Sequence, residues 1–257
     1  MAFNYFTFNG QSLKDFGFII KKTPDYPVAE KDSTSEEIQG KDGNEIVFNN
    51  RYKNRTVTYN IISLPTRVNC SNRELVNRLN YWLNSQKGYC KFTDTLNEGL
   101  YTEAYCQKIS NVKDQMKGVV EAEITFELQP FWYISNSIEV INATNNKEYI
   151  LNNPTGLPSY PKITAKVLIA HRSLDFVING TSIHVPSTLE GSTPNVVVYD
   201  SESGDVSVDG QDINHLIANF NSPPHFGDGE NTVIINISEL HGNPIPYILI
   251  EPRWRVF

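Results

Sequence analysis

The stretch from Val28 to Arg55 constrains the fold most, because it offers polar residues and glycine where a compact domain needs an apolar pattern. Its first seventeen residues contain only three apolar side chains, those of Val28, Ala29 and Ile38. A segment this long without an apolar stripe is uncommon inside a domain. The flanking sequence is well patterned, so we predict an arm at about residues 28–48 that is held by a second copy of the chain. The alternative is a mobile surface loop.

The composition of the 257 residues is that of a globular protein, with 39% hydrophobic and 20% charged residues. Thirteen tyrosines and thirteen phenylalanines favour strands. The net charge of −7 argues against stable nucleic-acid binding. No apolar run is long enough for membrane insertion, and the N-terminus does not resemble a signal peptide. Cys70, Cys90 and Cys106 have no metal-type spacing, and we expect three reduced thiols in a protein made in a cytoplasm.

The first half of the chain is predicted to combine strands with one helix. Phe3–Phe8 reads as a strand that ends in a turn-forming Asn-Gly pair, and we expect Phe16–Ile20 to pair with it. Ser71 and Glu74 form a capping box before apolar residues at helical spacing, which predicts a helix over residues 72–87. The other predicted strands are Thr56–Ile62, Tyr89–Phe92, Tyr101–Tyr105 and Val119–Leu128.

A polar stretch after Tyr133 predicts a domain boundary, with an N-terminal domain at 1–134 and a C-terminal domain at 135–257. The second domain shows short strands at close, even spacing with turns between them, as expected of a β-sandwich. The fold class is therefore mainly β, with an α+β N-terminal domain. The predicted C-terminal strands are Lys162–Ala170, Phe176–Ile178, Thr181–Val185, Asn195–Tyr199, Asp205–Val208, Thr232–Ile237 and Tyr247–Ile250.

No group of residues predicts catalysis, a metal site or a cofactor. The histidines are scattered, and no Gly-x-Ser-x-Gly elbow occurs. The segment Asp205–Leu216 resembles a calcium loop, but leucine stands where a bidentate glutamate is required, so a hairpin turn is favoured. Glu121 and Glu123 share one face of a strand and are interpreted as solvated carboxylates rather than a glycosidase pair. We therefore expect that the chain is not an enzyme.

Several separate segments, in order, carry a family resemblance. The turn Gly40-Lys41-Asp42-Gly43, followed by Arg55 and a strand, matches a Gly-Arg-Asp-Gly segment with lysine in place of arginine. The chain thereby resembles the distal tail (Dit) proteins of siphophages, the long non-contractile-tailed phages of Gram-positive bacteria, over nearly its whole length. The other matching segments are Phe6–Gly10 through Asp15–Gly17, Pro130–Tyr133, and Gly229–Ile234 with a final strand leading to Arg253.

This resemblance implies an N-terminal β-sandwich with one amphipathic helix and an extended arm, followed by a galectin-like β-sandwich. It leaves open whether the last strand packs back on the N-terminal domain. The implied function is a structural hub of the phage tail tip or baseplate, which forms a homohexameric ring, joins the tail tube to the host-adsorption apparatus and lets DNA pass. An acidic ring suits this passage, because an acidic lumen would not retain a phosphate backbone.

The implied partners are other copies of the chain, the major tail tube protein, the tail-associated tip protein, and a receptor-binding protein or other baseplate proteins. Back-to-back pairing of isolated rings is left open. The implied location is the virion tail tip, after synthesis and assembly in the cytoplasm of the bacterial host. We predict a subunit-interface arm that contains Ile38, Gly40, Lys41, Asp42, Gly43, Ile46, Phe48, Arg51 and Arg55.

The alternative function is a carbohydrate-binding module of the host-adsorption device. Lectin sites usually stack a sugar on an exposed aromatic ring beside polar groups, and the C-terminal half offers only Trp254 as a tryptophan for such stacking. A glycan-degrading enzyme is a third, less favoured interpretation, because no suitable carboxylate pair is evident.

Overall fold

The computed structural model describes residues 3–141, 147–167, 173–186, 195–217, 223–238 and 247–257. The chain is mainly β, as the sequence predicts. It divides into two units: the first ends at Ser135 and includes Phe257, and the second runs from Asn136 to Val256.

The first unit is built on one antiparallel sheet with strand order β2-β1-β7-β8-β9-β6-β3, and β10 pairs with β8. Strands β4 and β5 form a separate two-stranded sheet. The helix α1 spans Asn72–Asn84, and short 3-10 helices span Leu13–Phe16 and Pro65–Arg67. The strands are Phe6–Phe8 (β1), Gln11–Ser12 (β2), Phe18–Lys22 (β3), Lys31–Glu37 (β4), Asn44–Tyr52 (β5), Arg55–Ser63 (β6), Cys90–Asp94 (β7), Leu100–Met116 (β8), Val119–Leu128 (β9) and Trp132–Ile134 (β10).

An aromatic cluster forms the core of this unit. The rings of Phe6, Tyr59, Phe92 and Phe126 are fully buried, and the Phe6 and Phe126 centroids lie 5.2 Å apart. Trp82 of α1 reaches this cluster, with its ring 5.9 Å from that of Phe6. The alternation of apolar residues along β1, β6, β7 and β9 places these rings on one face of the sheet, which α1 covers.

The N-terminal cap of α1 agrees with the sequence, but the helix is shorter than predicted. The Ser71 hydroxyl accepts a hydrogen bond from the Glu74 amide at 3.2 Å. The helix ends at Asn84 rather than at residue 87, just after its last buried side chain, Leu83. Ser85 donates its hydroxyl back to the last turn at 3.0 Å. Beyond this point no apolar face remains to hold further turns on the sheet.

The predicted pairing of the first two segments is wrong. β1 lies between β2 and β7, whereas β3 pairs with β6. The turn at Asn9 and Gly10, with φ of 48° and 76°, reverses the chain, and only the two residues of β2 then pair with β1. The 3-10 helix that follows redirects the chain before β3 begins. One backbone hydrogen bond, from the Ile20 amide to the Asn4 carbonyl at 2.8 Å, remains between the two segments.

The second unit has two antiparallel sheets, ordered β11-β20-β13-β16-β17-β18 and β12-β19-β14-β15. The rings of Phe176 in β14 and Tyr199 in β16 stack 6.2 Å apart, so the two sheets face each other in a β-sandwich. A 3-10 helix spans Asn214–Leu216. The strands are Glu139–Ile141 (β11), Glu148–Asn153 (β12), Lys162–Val167 (β13), Leu174–Ile178 (β14), Thr181–Val185 (β15), Asn195–Asp200 (β16), Asp205–Val208 (β17), Gln211–Asp212 (β18), Gly229–Ile237 (β19), Tyr247–Glu251 (β20) and Arg255–Val256 (β21).

Every strand predicted for this unit is present. The end of the predicted strand Lys162–Ala170 lies outside the described residues. The calcium-like segment is a hairpin, as favoured from sequence, with Asp209 and Gly210 at φ of 49° and 80° between β17 and β18. Strands β11 and β12 are not predicted, because they lie in and beside the polar stretch assigned to the domain boundary.

Candidate subunit interface

The predicted arm is an antiparallel hairpin, β4–β5, that pairs with no other strand of the described chain. In its register Ser33 lies opposite Phe48 and Ser35 lies opposite Ile46. An isolated two-stranded hairpin is at best marginally stable in water. The polar strand β4 offers β5 little apolar contact, so most of the stabilisation of β5 must come from elsewhere.

The hairpin exposes a run of apolar side chains. Ile46, Val47 and Phe48 are 59%, 45% and 55% exposed, and Ile38, just after β4, is 43% exposed. Successive residues of a strand point to opposite faces, so Ile46 and Phe48 share one face while Val47 lies on the other. Both faces of β5 therefore carry exposed apolar side chains, which is typical of an interaction surface.

The turn of the hairpin contains the predicted glycine pair. Gly40 and Gly43 have φ of 87° and 82°, a left-handed conformation that residues with a Cβ rarely adopt. Lys41 and Asp42 lie between them, and the Lys41 ammonium is 3.8 Å from a carboxylate oxygen of Glu45. The side chains at this end of the hairpin are all exposed.

The base of the hairpin is held by one buried carboxylate. Asp32 Oδ2 accepts a hydrogen bond from Arg51 Nε at 2.6 Å, and Lys53 Nζ lies 3.9 Å from Oδ1. The hydrogen bond from Arg51 lowers the pKa of Asp32 below its ordinary value. The strand register shifts beside Asp32, and Asn50 has φ of 52°. These features make the strand pairing irregular near the base of the hairpin.

Arg55 lies apart from the exposed hairpin. It is 4% exposed at the start of β6, where its guanidinium donates to the Gln129 carbonyl and lies 5.6 Å from the Trp132 ring centroid. Burial lowers the pKa of Arg55. The other residues of the predicted interface arm lie in β5 or in the turn between β4 and β5. Val47 was missed from sequence, although its place between two apolar residues of a predicted arm was a usable signal.

The segment that leads into the hairpin is anchored by one buried carboxylate, that of Asp94. Tyr26 donates its hydroxyl to Asp94 Oδ2 at 2.6 Å, and Tyr59 donates to the same oxygen at 2.7 Å. Burial raises the pKa of both phenols above the ordinary value, and the hydrogen bond of Tyr26 to Asp94 adds to this shift. The tyrosine at residue 26 therefore ties the stem of the hairpin to the core, while β4 and β5 extend away from it.

The remaining candidate residues take structural or solvated positions. Glu121 forms an exposed ion pair with Lys21 at 2.6 Å, and Glu123 accepts a hydrogen bond from Asn111 at 2.6 Å. Within the described ranges, no cluster of three or more metal-ligating side chains is found. The three cysteines are free thiols. No helix in the described part of the chain has the length and apolar character to cross a membrane.

The chain is similar to a crystal structure of SPP1 Dit, which is described as a paradigm of the hub adsorption apparatus in phages that infect Gram-positive bacteria. The TM-score is 0.67 at 14% identity, and the match covers 97% of this chain and 98% of the other.

The family model for the phage tail protein N-terminal domain matches residues 1–129, half of the chain, and the protein belongs to this family. No curated protein matches the chain. The Dit-like fold and the phage tail assignment predicted from sequence are thus confirmed.

Proposed function

We propose that this chain is the structural, non-enzymatic hub of a phage tail tip. In this proposal it forms a homohexameric ring that joins the tail tube to the host-adsorption apparatus and lets DNA pass. The observation that carries the proposal is the β4–β5 hairpin, which exposes Ile46, Val47 and Phe48 on a chain with the fold of SPP1 Dit. The hub role itself is taken from the description of that relative.

The hairpin supplies what a ring requires. A head-to-tail ring needs two different complementary patches on each subunit, and a projecting hairpin is one of them. Its outer strand edges are free to pair with a neighbouring subunit, and both of its faces carry apolar residues that such a neighbour would cover. Permanent interfaces of this kind commonly bury more than about 2,000 Å².

The proposed partners follow from this role. They are other copies of the chain, the major tail tube protein, the tail-associated tip protein, and a receptor-binding protein or other baseplate proteins. The proposed location is the virion tail tip, with assembly in the cytoplasm of the host. The proposed subunit interface consists of the predicted arm residues other than the buried Arg55, with Val47 added.

Light scattering and negative-stain microscopy of the purified full chain test the proposal. The variant Ile46→Ser/Val47→Ser/Phe48→Ser removes the exposed apolar run, and we expect it to be monomeric where the natural chain forms rings. A matched control makes the same change at three exposed apolar residues of the second unit, Ile150, Val196 and Leu216, and should still assemble. A natural chain that stays monomeric at high concentration, or a triple variant that still forms rings, contradicts the proposal.

The structure gives no support for a carbohydrate-binding module at Trp254, the tryptophan that could have stacked on a sugar. Trp254 is only 6% exposed, and its ring packs 5.2 Å from that of Phe226. The indole face is therefore not available to stack on a sugar. A glycan array remains the direct test, and the hub proposal expects no saturable sugar binding.

A further inference from the structure

A groove on the first unit lies between α1 and the segment that contains the β1–β2 turn and the first 3-10 helix. Its volume is about 580 Å³. The rings of Phe16 and Trp82 stack 4.5 Å apart in its lining, and Tyr81 stands at its rim with 79% of its surface exposed. Tyr81 is the most exposed of the large apolar side chains in the described part of the chain. The groove is unoccupied by any described segment of the chain itself.

The helix α1 beside the groove and the hairpin carry opposite net charges, while the groove lining itself contains one carboxylate, that of Glu74, and one guanidinium, that of Arg78. From Glu36 to Glu45 the chain has four carboxylates and one lysine, a net charge of −3. From Asn72 to Lys87, which covers α1, it has three cations and one carboxylate, a net charge of +2. Arg78 lines the groove, and it makes no ion pair with the described residues. Opposite potentials favour docking and set its orientation.

The hairpin also contains an unfavourable pair that a partner would relieve. Glu36 and Glu45 lie directly opposite each other in the β4–β5 register, and both are exposed. Like charges in this position destabilise a strand pair. Lys41, at 3.8 Å from Glu45, offsets this only in part. A cationic surface on a second molecule would stabilise the arrangement.

We infer that the α1 groove is the acceptor for the β4–β5 hairpin of a second copy of this chain. The apolar residues of β5 contact Tyr81 and Phe16, whose ring is backed by the buried Trp82, and the acidic end of the hairpin meets Arg78. The nine residues of β5 span about 30 Å, at roughly 3.4 Å per residue. This length is about twice the radius of gyration of about 14 Å expected for a unit of this size. A hairpin of this length can therefore extend from one subunit to a neighbouring subunit. The inference rests on the proposed function, since it identifies the second patch of the same ring contact.

A second exposed basic surface of this unit fits the hairpin less well. It lies at the end of β8, where Val112 and Met116 are exposed near Lys113. The register of β8 against β9 shifts three times between Cys106 and Met116, so this strand does not offer a regular edge for pairing. It provides the control site for the experiment.

A disulfide trap locates the contact directly. In a Cys70→Ser/Cys90→Ser background, Ile46→Cys combined with Tyr81→Cys should give covalent oligomers under mild oxidation. Ile46→Cys combined with Val112→Cys should give none. Cross-linking in the control pair and not in the Tyr81 pair would place the hairpin on β8 and overturn the inference.

Charge reversal provides a second, independent readout by light scattering. Arg78→Glu should weaken assembly tenfold or more, because it opposes like charges across the contact. Lys113→Glu makes the same change at the control site and should leave assembly within about twofold. The double variant Glu36→Lys/Glu45→Lys should weaken assembly when Arg78 is unchanged. Combined with Arg78→Glu, it should restore assembly.

The outcomes separate this inference from the proposed function. If the natural chain forms rings and the hairpin serine variant does not, yet Arg78→Glu and Tyr81→Ala assemble normally, the acceptor lies elsewhere and the hub proposal stands. If the natural chain never assembles, both the inference about the groove and the hub proposal are refuted. Tyr81 and Arg78 are solvent-facing residues of α1, and thermal unfolding of each variant verifies that the fold is intact.

Discussion

Replacing Asp94 with alanine should destabilise the first unit more than replacing either of its phenol partners with phenylalanine. The carboxylate is 6% exposed and accepts from Tyr26 and Tyr59 through Oδ2, at 2.6 and 2.7 Å. Through Oδ1 it accepts from the Leu96 and Asn97 amides at 3.1 and 2.8 Å. One side chain thus joins β6, the turn after β7 and the stem of the hairpin.

The magnitude follows from which groups lose their partners. Tyr59→Phe removes one hydrogen bond to a charged acceptor, which costs about 1.5–3 kcal/mol, and leaves Asp94 with its other donors. Asp94→Ala removes the same bond and also leaves the fully buried Tyr59 hydroxyl without its carboxylate, which adds about 1–3 kcal/mol. The Tyr26 hydroxyl, 3.4 Å from that of Tyr59, replaces this acceptor only weakly. We expect a total of about 3–5 kcal/mol for Asp94→Ala.

Urea unfolding of the full chain, followed by tryptophan fluorescence, measures these values. A Trp254→Phe background leaves Trp82 and Trp132, which both belong to the first unit, as the reporters. Because Asp94 and Tyr59 share one bond, the double variant should cost less than the sum of the single variants by at least about 1 kcal/mol. Additive effects, or a cost for Asp94→Ala no larger than that for Tyr59→Phe, would refute the reasoning.

Gly118→Ala should destabilise the chain by about 1–3 kcal/mol, because φ is +79° and a Cβ would lie 3.1 Å from the neighbouring 3-10 helix. Gly99→Ala has the same φ without any contact within 4 Å, so the difference between the two in thermal unfolding isolates the clash. Tyr26 and Tyr59 have raised pKa values in the folded state, so above the ordinary phenol pKa near 10 they ionise in the unfolded state before they ionise in the folded state. The free energy of unfolding should therefore be constant with respect to these groups below about pH 10 and fall as the pH rises above it. Replacing both with phenylalanine should reduce this pH dependence, and the part that remains comes from other tyrosines with raised pKa values, Tyr89 and Tyr199. Ser71→Ala removes the N-cap acceptor of α1 and should cost about 1 kcal/mol in urea unfolding.

The β4–β5 hairpin shows which local features follow from the sequence and which do not. The absence of an apolar stripe after Val28 indicated a segment that does not pack on its own unit, and the structure places an exposed hairpin there. The pattern did not reveal that Arg55, at the end of this segment, is buried against Trp132. Arg55 is predicted to lie in the interface because it follows the arm in sequence, whereas its burial depends on a residue far along the chain.

The sequence alone determined the elements whose causes are local. Period-two alternation defined β9 as Val119–Leu128, a Ser-Glu capping box began α1, and turn residues separated the strands of the second unit. Only the tertiary structure decided which strands are neighbours, that Asp94 joins two distant tyrosines, and that Phe16 and Trp82 line one groove. The physical reason is that alternation and capping act over a few residues. Strand pairing and cluster formation instead depend on contacts between residues far apart in the chain, whose partners local patterns do not specify.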